Sequence, residues 1–168
     1  MRDDPQPDPD DDSGAQGSPR PLVVEVDRAF RELFSAVDTG LDAAAAHLGI
    51  NRSDLRCLEV LDRRGPMPAG ALADAVALSA AAATKIIDRL VARGYVERSR
   101  DPADRRRVVV GTTELERMRR RDVFMPLVVD GMRLLAEHTD DDLRLLRSVL
   151  ERSAELNRAH VARLTGTA

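Results

Sequence analysis

Five arginines lie within the ten residues Arg98–Arg107, in the stretch RSRDPADRRR. A guanidinium group stays charged at neutral pH, and its forked donors match the oxygens of a phosphate. The stretch offers almost no apolar side chain on which these arginines could pack. The chemistry that such a cluster favours is electrostatic binding of a polyanion, although a solvated charged loop would show the same composition.

The charge of the chain is divided unevenly along its length. Residues 47–113 hold twelve basic against eight acidic side chains, although the net charge of the whole chain is -3. Residues 1–20 instead hold six Asp and two Arg among Pro, Gly and Ser, which is a composition that buries too little apolar surface to fold. We therefore expect residues 1–20 to form a disordered acidic tail, and we expect the basic middle of the chain to meet nucleic acid.

Apolar periodicity and capping residues predict the elements that must position the arginines. Helical spacing extends from Leu22 to Leu48, and Asn51 is an N-cap for a second helix that ends at Gly65-Pro66. A short third helix follows Pro68. The fourth helix begins after Ser79 and ends at Gly94. Two β-branched stretches, Tyr95–Ser99 and Val108–Thr112, then predict a hairpin with the arginines at its tip.

Two further long helices are predicted after Thr113. One covers about residues 114–137 with Pro126 in its interior, where we expect a kink, and the other covers about residues 140–164. Their aliphatic faces, with that of the first helix, exceed what one small lobe can cover, which favours a homodimer.

The order of elements predicts a mainly α fold. A short helix, a tight turn and a second helix form a helix-turn-helix, and a hairpin directly after it completes a winged helix. We expect a dimerisation helix over 21–48, a winged helix-turn-helix DNA-binding lobe over 49–113 and C-terminal dimerisation helices over 114–168.

The stretch LSAAAATKIIDRLVARGYVERSRDPADRRRVVV, with Leu72-Ala73 before it, resembles the MarR family of transcriptional regulators. The resemblance covers about residues 48–113 in its motifs and the whole chain in helix layout. It implies a homodimer that binds a near-palindromic site on double-stranded DNA and that responds to a small amphipathic or phenolic ligand.

The resemblance also implies roles for individual residues. The start of the fourth helix would enter the major groove, and Arg106 would enter the minor groove, where negative potential is strongest. Asp104 would brace the hairpin tip. The full set of expected DNA-binding residues is Ser79, Ala81, Ala82, Thr84, Lys85, Arg98, Arg105, Arg106 and Arg107. Arg98, Arg105 and Arg107 would contact phosphates or pair with nearby acids.

Three departures from the family pattern bear on these roles. Asp54 stands where glutamine is frequent, which we interpret as a neutral change at a helix cap. Glu116 stands where a glycine is usual, so the following helix could begin differently. Alanines occupy positions 80 to 83, which leaves few side chains for base edges. An alternative therefore stays open, a winged-helix protein-interaction module with weak or lost DNA binding.

The remaining candidates concern regulation and chemistry. Phe30, Phe34 and His47 could line a ligand cleft, but core packing explains each of them as well. Cys57 lies on an apolar helix face, so we expect an inert core thiol rather than an oxidant sensor.

The sequence offers no metal-ligand spacing, cofactor motif or catalytic motif, so we expect no metal, no cofactor and no enzymatic activity. A single cysteine, the absence of an apolar leader and the absence of a long apolar run predict a cytoplasmic protein without a membrane partner.

Overall fold

A computed structural model describes residues 20–101 and 103–166. The expected tail, apart from Arg20, lies outside the described residues. The fold is mainly helical with one two-stranded hairpin, as the sequence predicts. In chain order the elements are α1 (Pro21–His47), α2 (Arg52–Arg64), α3 (Ala69–Ala75), α4 (Ala80–Ala92), β1 (Val96–Arg100), β2 (Val108–Thr112), α5 (Glu114–Ala136) and α6 (Asp140–Thr165).

The central core is formed by α2, α3, α4 and the hairpin. Asn51 and Asp54 form a reciprocal capping box at the start of α2, in which each side chain accepts a hydrogen bond from the other residue's backbone N–H. The apolar face of α2 then packs against those of α3 and α4. The fully buried side chains of this core include Leu55, Cys57, Leu58, Leu61, Leu72, Ile87 and Leu90.

The α3–α4 unit has the geometry of a helix-turn-helix, because the two helices meet at 110°. The turn between them places Ala77 at φ 55°, in the left-handed region that alanine rarely adopts. Its neighbour Leu78 donates a backbone hydrogen bond to Ala73 O at 2.9 Å, which closes the turn. Ser79 then caps α4 by accepting a hydrogen bond from Ala82 N.

The hairpin pairs β1 antiparallel to β2, with Val96 opposite Thr112 and Arg100 opposite Val108. Compared with the sequence prediction, β1 begins and ends one residue later, because Tyr95 N donates to Leu90 O and so still belongs to the turn after α4. Met67 adds an isolated bridge on the other side of β2 through two hydrogen bonds with Val110, at 2.8 and 3.0 Å. The hairpin is thus anchored to the loop before α3.

The long helices α1, α5 and α6 leave most of their apolar surface exposed within one chain. α1 is continuous through Gly40, and α5 is one helix with Pro126 inside it. α6 has no buried residue over its 26 residues. Within the described part of the chain, no single helix is long and apolar enough to cross a membrane. Taken together, α3 and α4 are long and apolar enough, but the pair is bent by 110°.

Candidate nucleic-acid interface

Backbone hydrogen bonds organise the tip of the hairpin between β1 and β2. Asp104 Oδ1 accepts a hydrogen bond from Arg106 N at 3.0 Å, and Asp104 O accepts one from Arg107 N at 2.9 Å. Asp101 N donates to Arg107 O at 3.0 Å across the base of the tip. The Asp104 carboxylate therefore bonds to the backbone of the turn, and it does not pair with the neighbouring guanidinium groups.

The three consecutive arginines at the tip, Arg105, Arg106 and Arg107, are all exposed. Among the residues that the structure describes, no carboxylate lies within salt-bridge distance of their side chains. Arg98 differs, because its Nη2 lies 2.6 Å from Asp88 Oδ1 on α4. The hairpin thus presents free positive charge at its tip and is tied to α4 at its base.

The start of α4 presents small side chains to solvent. Ser79, Ala81, Thr84 and Lys85 are exposed, and Ala82 is half-buried, whereas Ala83 is buried in the core. The Thr84 hydroxyl donates to Ala80 O at 2.8 Å. Lys85 is the only lysine of the chain. This surface offers methyl groups, one ammonium group and two hydroxyls that also bond to the helix backbone.

The predicted position of Asp54 at the cap of α2 is confirmed by the capping box with Asn51, but its carboxylate makes a second contact that the sequence did not predict. Asp54 is fully buried, and its Oδ2 lies 2.9 Å from Nε of Arg89 on α4, while its Oδ1 accepts a hydrogen bond from Arg89 Nη2. The hydrogen bonds to this carboxylate raise the pKa of Arg89. Because a buried carboxylate needs such a partner, Asp54 joins α2 to α4 in addition to capping α2.

A second buried carboxylate lies where α5 meets the central core. Glu116 is buried in the first turn of α5, where Thr113 is the N-cap, and its Oε1 lies 2.9 Å from Arg120 Nε. Arg120 Nη2 also lies 2.5 Å from Asp62 Oδ1 on α2. Burial raises the pKa of Glu116, and the charge of Arg120 opposes that rise. The sequence did not predict this cluster. The Thr113–Glu116 spacing is that of a capping box, but Thr113 N donates to Tyr95 O and the Glu116 carboxylate faces Arg120 instead.

A cavity of about 630 Å³ lies between α1 and α5. It is lined by Val37, Gly40, Leu41, Ala43, Ala44, His47, Asp122, Val123, Phe124 and Leu127. Of the three expected ligand residues only His47 is in this lining. Phe30 and Phe34 stack on each other with ring centroids 6.1 Å apart, outside that lining.

Core packing, the other interpretation of Phe30 and Phe34, does not hold within one chain. Phe34 is 55% exposed, and Phe30 is half-buried and outside the core cluster. Their apolar faces, like those of the neighbouring valines on α1, have no covering element among the described residues. The sequence periodicity identified an apolar helix face, but it could not tell which surface covers that face.

Cys57 is fully buried beside Leu58 and Leu61, as expected for a core thiol. Burial, and secondly the charge of Asp54, raise its pKa to about 11. Within the described ranges, no group of three or more His, Cys, Asp or Glu side chains is arranged to hold a metal ion.

Comparisons with known proteins agree on one family. The MarR family model matches residues 50–108 of this chain. The chain is 36% identical over 135 residues to the uncharacterized HTH-type transcriptional regulator YcgE of Bacillus subtilis, and the match covers 80% of this chain and 88% of that protein.

Solved structures show the same fold. A MarR family protein from Bacillus stearothermophilus superposes with a TM-score of 0.64 at 18% identity, over 82% of this chain and 96% of that one. A Staphylococcus aureus MepR mutant bound to an oligodeoxyribonucleotide gives a TM-score of 0.56 at 14% identity, over 77% of this chain and 96% of that one.

Proposed function

The chain belongs to the MarR family of transcriptional regulators, and from this premise we propose that it is a homodimer that binds a near-palindromic operator and is released by a small ligand. In this proposal residues 49–113 form the DNA-binding lobe, and residues 21–48 and 114–168 form the dimerisation helices. The proposal includes a cytoplasmic location, because a protein that binds an operator acts where the DNA lies.

The observation that carries the proposal is the unpaired charge at the hairpin tip. Arg105, Arg106 and Arg107 are exposed and lack a carboxylate partner among the described residues, because Asp104 bonds to the turn backbone. We assign Arg106 to the minor groove and Arg105 and Arg107 to phosphates. Arg98 instead holds the hairpin against α4 through Asp88.

The second part of the interface is the start of α4. A helix held at its N-terminal turn in the major groove presents its first residues to the bases. We assign that contact to Ser79, Ala81, Ala82, Thr84 and Lys85. The methyl groups suit thymine methyls, and Lys85 can donate to base edges or phosphates.

Exposed apolar surface supports the dimer. Large hydrophobic side chains that one chain leaves exposed are concentrated on α1, α5 and α6, with Val108 as the exception among those described. A monomer rarely exposes apolar patches of such extent, whereas a second copy would bury them. A dimer would also place two copies of α4 to read the two halves of a near-palindromic site.

The cavity between α1 and α5 supports a ligand response. Its volume, about 630 Å³, is that of sites for small organic molecules, and its lining is apolar apart from His47 and Asp122. An amphipathic molecule, for example a phenol, would place its apolar body between the two helices. Because α5 leads directly from the hairpin, a ligand there would alter how the lobes are held.

Selection of duplexes from a random-sequence pool by the full-length chain tests this function. We expect enrichment of a near-palindromic site, and an affinity whose logarithm falls linearly with the logarithm of salt concentration. The enriched duplex is then measured by fluorescence anisotropy against a duplex of shuffled sequence.

Failure to enrich any sequence, with no salt-dependent binding, would overturn the proposal. It would favour a winged-helix module that contacts proteins. The alanine-rich start of α4 is the observation that favours this second candidate, because Ala80 and Ala81 are exposed and offer no hydrogen bonds from their side chains.

A further inference from the structure

Asp54 and Arg89 form the only charged contact that the described residues show between α2 and α4. Nε of Arg89 lies 2.9 Å from Oδ2 and 3.2 Å from Oδ1 of Asp54, and Nη2 also donates to Oδ1. The fork of the guanidinium therefore meets both oxygens of the carboxylate. Such a two-point contact restricts both distance and direction between the elements that carry the two groups.

The apolar packing of α4 on the core does not by itself restrict the direction of the helix in this way. Its buried face consists of Ala83, Ile86, Ile87 and Leu90, whose contacts are apolar. Apolar contacts stabilise the packing in proportion to buried area, but they are non-directional. A helix held by them alone can rotate or slide by a fraction of an ångström at little cost, whereas base contacts need their donors placed closely.

The carboxylate is itself held in place from the side of α2. Asn51 N donates to Asp54 Oδ2 at 3.2 Å, and Asp54 N donates to Asn51 Oδ1 at 2.9 Å. Asp54 is fully buried, so its carboxylate has no direct contact with solvent. The first turn of α2 is thus a rigid anchor for Arg89.

The adjacent position on α4 extends the same anchor to the hairpin. Asp88 Oδ1 lies 2.6 Å from Arg98 Nη2 on β1, so consecutive residues tie α4 to α2 and to the hairpin. This arrangement pairs the charge of Arg89 within the protein, although Arg89 is a basic residue on the proposed recognition helix. Its charge is used to orient α4.

We propose that Asp54, acting through Arg89, is a positioning residue that orients α4 for sequence recognition, and so determines how strongly an operator is preferred over other DNA. The proposal rests on the DNA-binding function proposed above. It separates two parts of the interface. The arginines at the hairpin tip supply affinity for any duplex, and the orientation of α4 supplies the preference among sequences.

The test compares wild type with Asp54→Asn in the full-length chain. The amide introduced by this substitution retains an oxygen for the cap but loses the charge that holds Arg89. The operator is the duplex enriched by the wild-type chain from a random pool, and the competitor is a duplex of the same length and shuffled sequence. We expect the ratio of the two affinities to fall by about tenfold, which is the scale of one good base contact.

Two readouts, a milder variant and a matched control distinguish positioning from a general loss of structure. We expect the affinity for the shuffled duplex and the salt dependence of binding to stay at their wild-type values, which a loss of folding would not allow. Arg89→Lys keeps the charge pair with Asp54 but loses the second parallel hydrogen bond, so it is a milder variant that stays folded. Its ratio of operator affinity to shuffled-duplex affinity should also fall. Asp38→Asn is the matched control, because it breaks an exposed contact between helices, 2.8 Å from Arg52, that does not involve α4.

An unchanged ratio in both Asp54→Asn and Arg89→Lys would overturn the proposal, as would an equal loss of affinity for both duplexes. Failure of the function itself has a different signature, since the wild-type chain would then bind no duplex in a salt-dependent manner.

Discussion

The hydroxyl of Tyr95 donates a hydrogen bond to the backbone carbonyl of Leu48 at 2.9 Å, across 47 positions of the chain. The same oxygen accepts a hydrogen bond from Arg119 Nη1 at 2.9 Å, and the Arg119 guanidinium lies 5.7 Å from the centre of the ring. One buried phenol therefore joins the end of α1, the start of the hairpin and α5. It lies at the junction between the proposed DNA-binding lobe and the helices proposed for dimerisation.

Tyr95→Phe should lower the free energy of unfolding by about 1–3 kcal/mol, because the ring remains but the Leu48 carbonyl loses its donor in a buried place. Chemical denaturation measures this change. A double-mutant cycle with Arg119→Ala separates the second hydrogen bond from the first. A stability equal to that of wild type would contradict the role of this hydroxyl.

Arg106→Ala should weaken binding to the selected operator by about 1–3 kcal/mol, because it removes the guanidinium that we propose for the minor groove. Fluorescence anisotropy at moderate salt measures the affinity. Arg121→Ala, at an exposed position on α5, serves as the control and should bind as wild type. Equal affinities for Arg106→Ala and wild type would remove Arg106 from the interface.

Cys57 should make the protein less stable in alkaline solution. Its pKa rises from 9.0 to about 11 on folding because burial penalises the thiolate. The folded state therefore retains its proton longer than the unfolded state. The contribution of Cys57 to the free energy of unfolding is therefore fully present below pH 9. It is lost as the pH rises from 9 through 11, and the loss amounts to about 3 kcal/mol at most.

Denaturation of wild type and Cys57→Ala between about pH 8 and pH 11 measures this effect, since the difference between the two cancels other titrating groups. We expect the advantage of wild type to shrink as the pH rises. A constant difference would show that the thiol titrates alike in both states. The same burial predicts that peroxide leaves DNA binding intact.

Arg120→Ala should destabilise the fold by about 3 kcal/mol, since it leaves the buried carboxylate of Glu116 without its counter-charge. The additional substitution Glu116→Gln should recover part of the loss. The deficit should shrink as the pH falls through the pKa of Glu116, which is already raised by burial and rises further without Arg120. Thermal unfolding at about pH 5 and pH 7 tests both expectations, and a deficit independent of pH would contradict them.

Leu156→Asp should weaken self-association, because Leu156 is 71% exposed on α6 and a carboxylate there would have to be desolvated in an interface between copies. Sedimentation at micromolar concentration measures the fraction of dimer. Glu155→Gln changes the adjacent exposed residue and should leave that fraction unchanged. A wild-type chain that sediments as a monomer would refute the dimer itself.

The sequence predicts those parts of the fold that depend on neighbours in the chain. Asn51, Ser79 and Thr113 cap their helices as expected, since the groups they satisfy lie three residues away. Asp54 and Arg89 are 35 residues apart, so their contact depends on how α4 packs on α2, and no local pattern encodes that. For Phe34 the periodicity correctly predicts a position on the apolar face of α1. It does not reveal that one chain leaves this face exposed, because the pattern is the same whichever surface covers it.

Lys85 carries the only side-chain amine of the chain, and it lies exposed on α4. A reagent that acylates lysines therefore has one side-chain target, and that target lies on the helix proposed to contact the bases. Occupancy of this helix by a duplex can be followed through protection of a single acylation site, without introducing a reporter group.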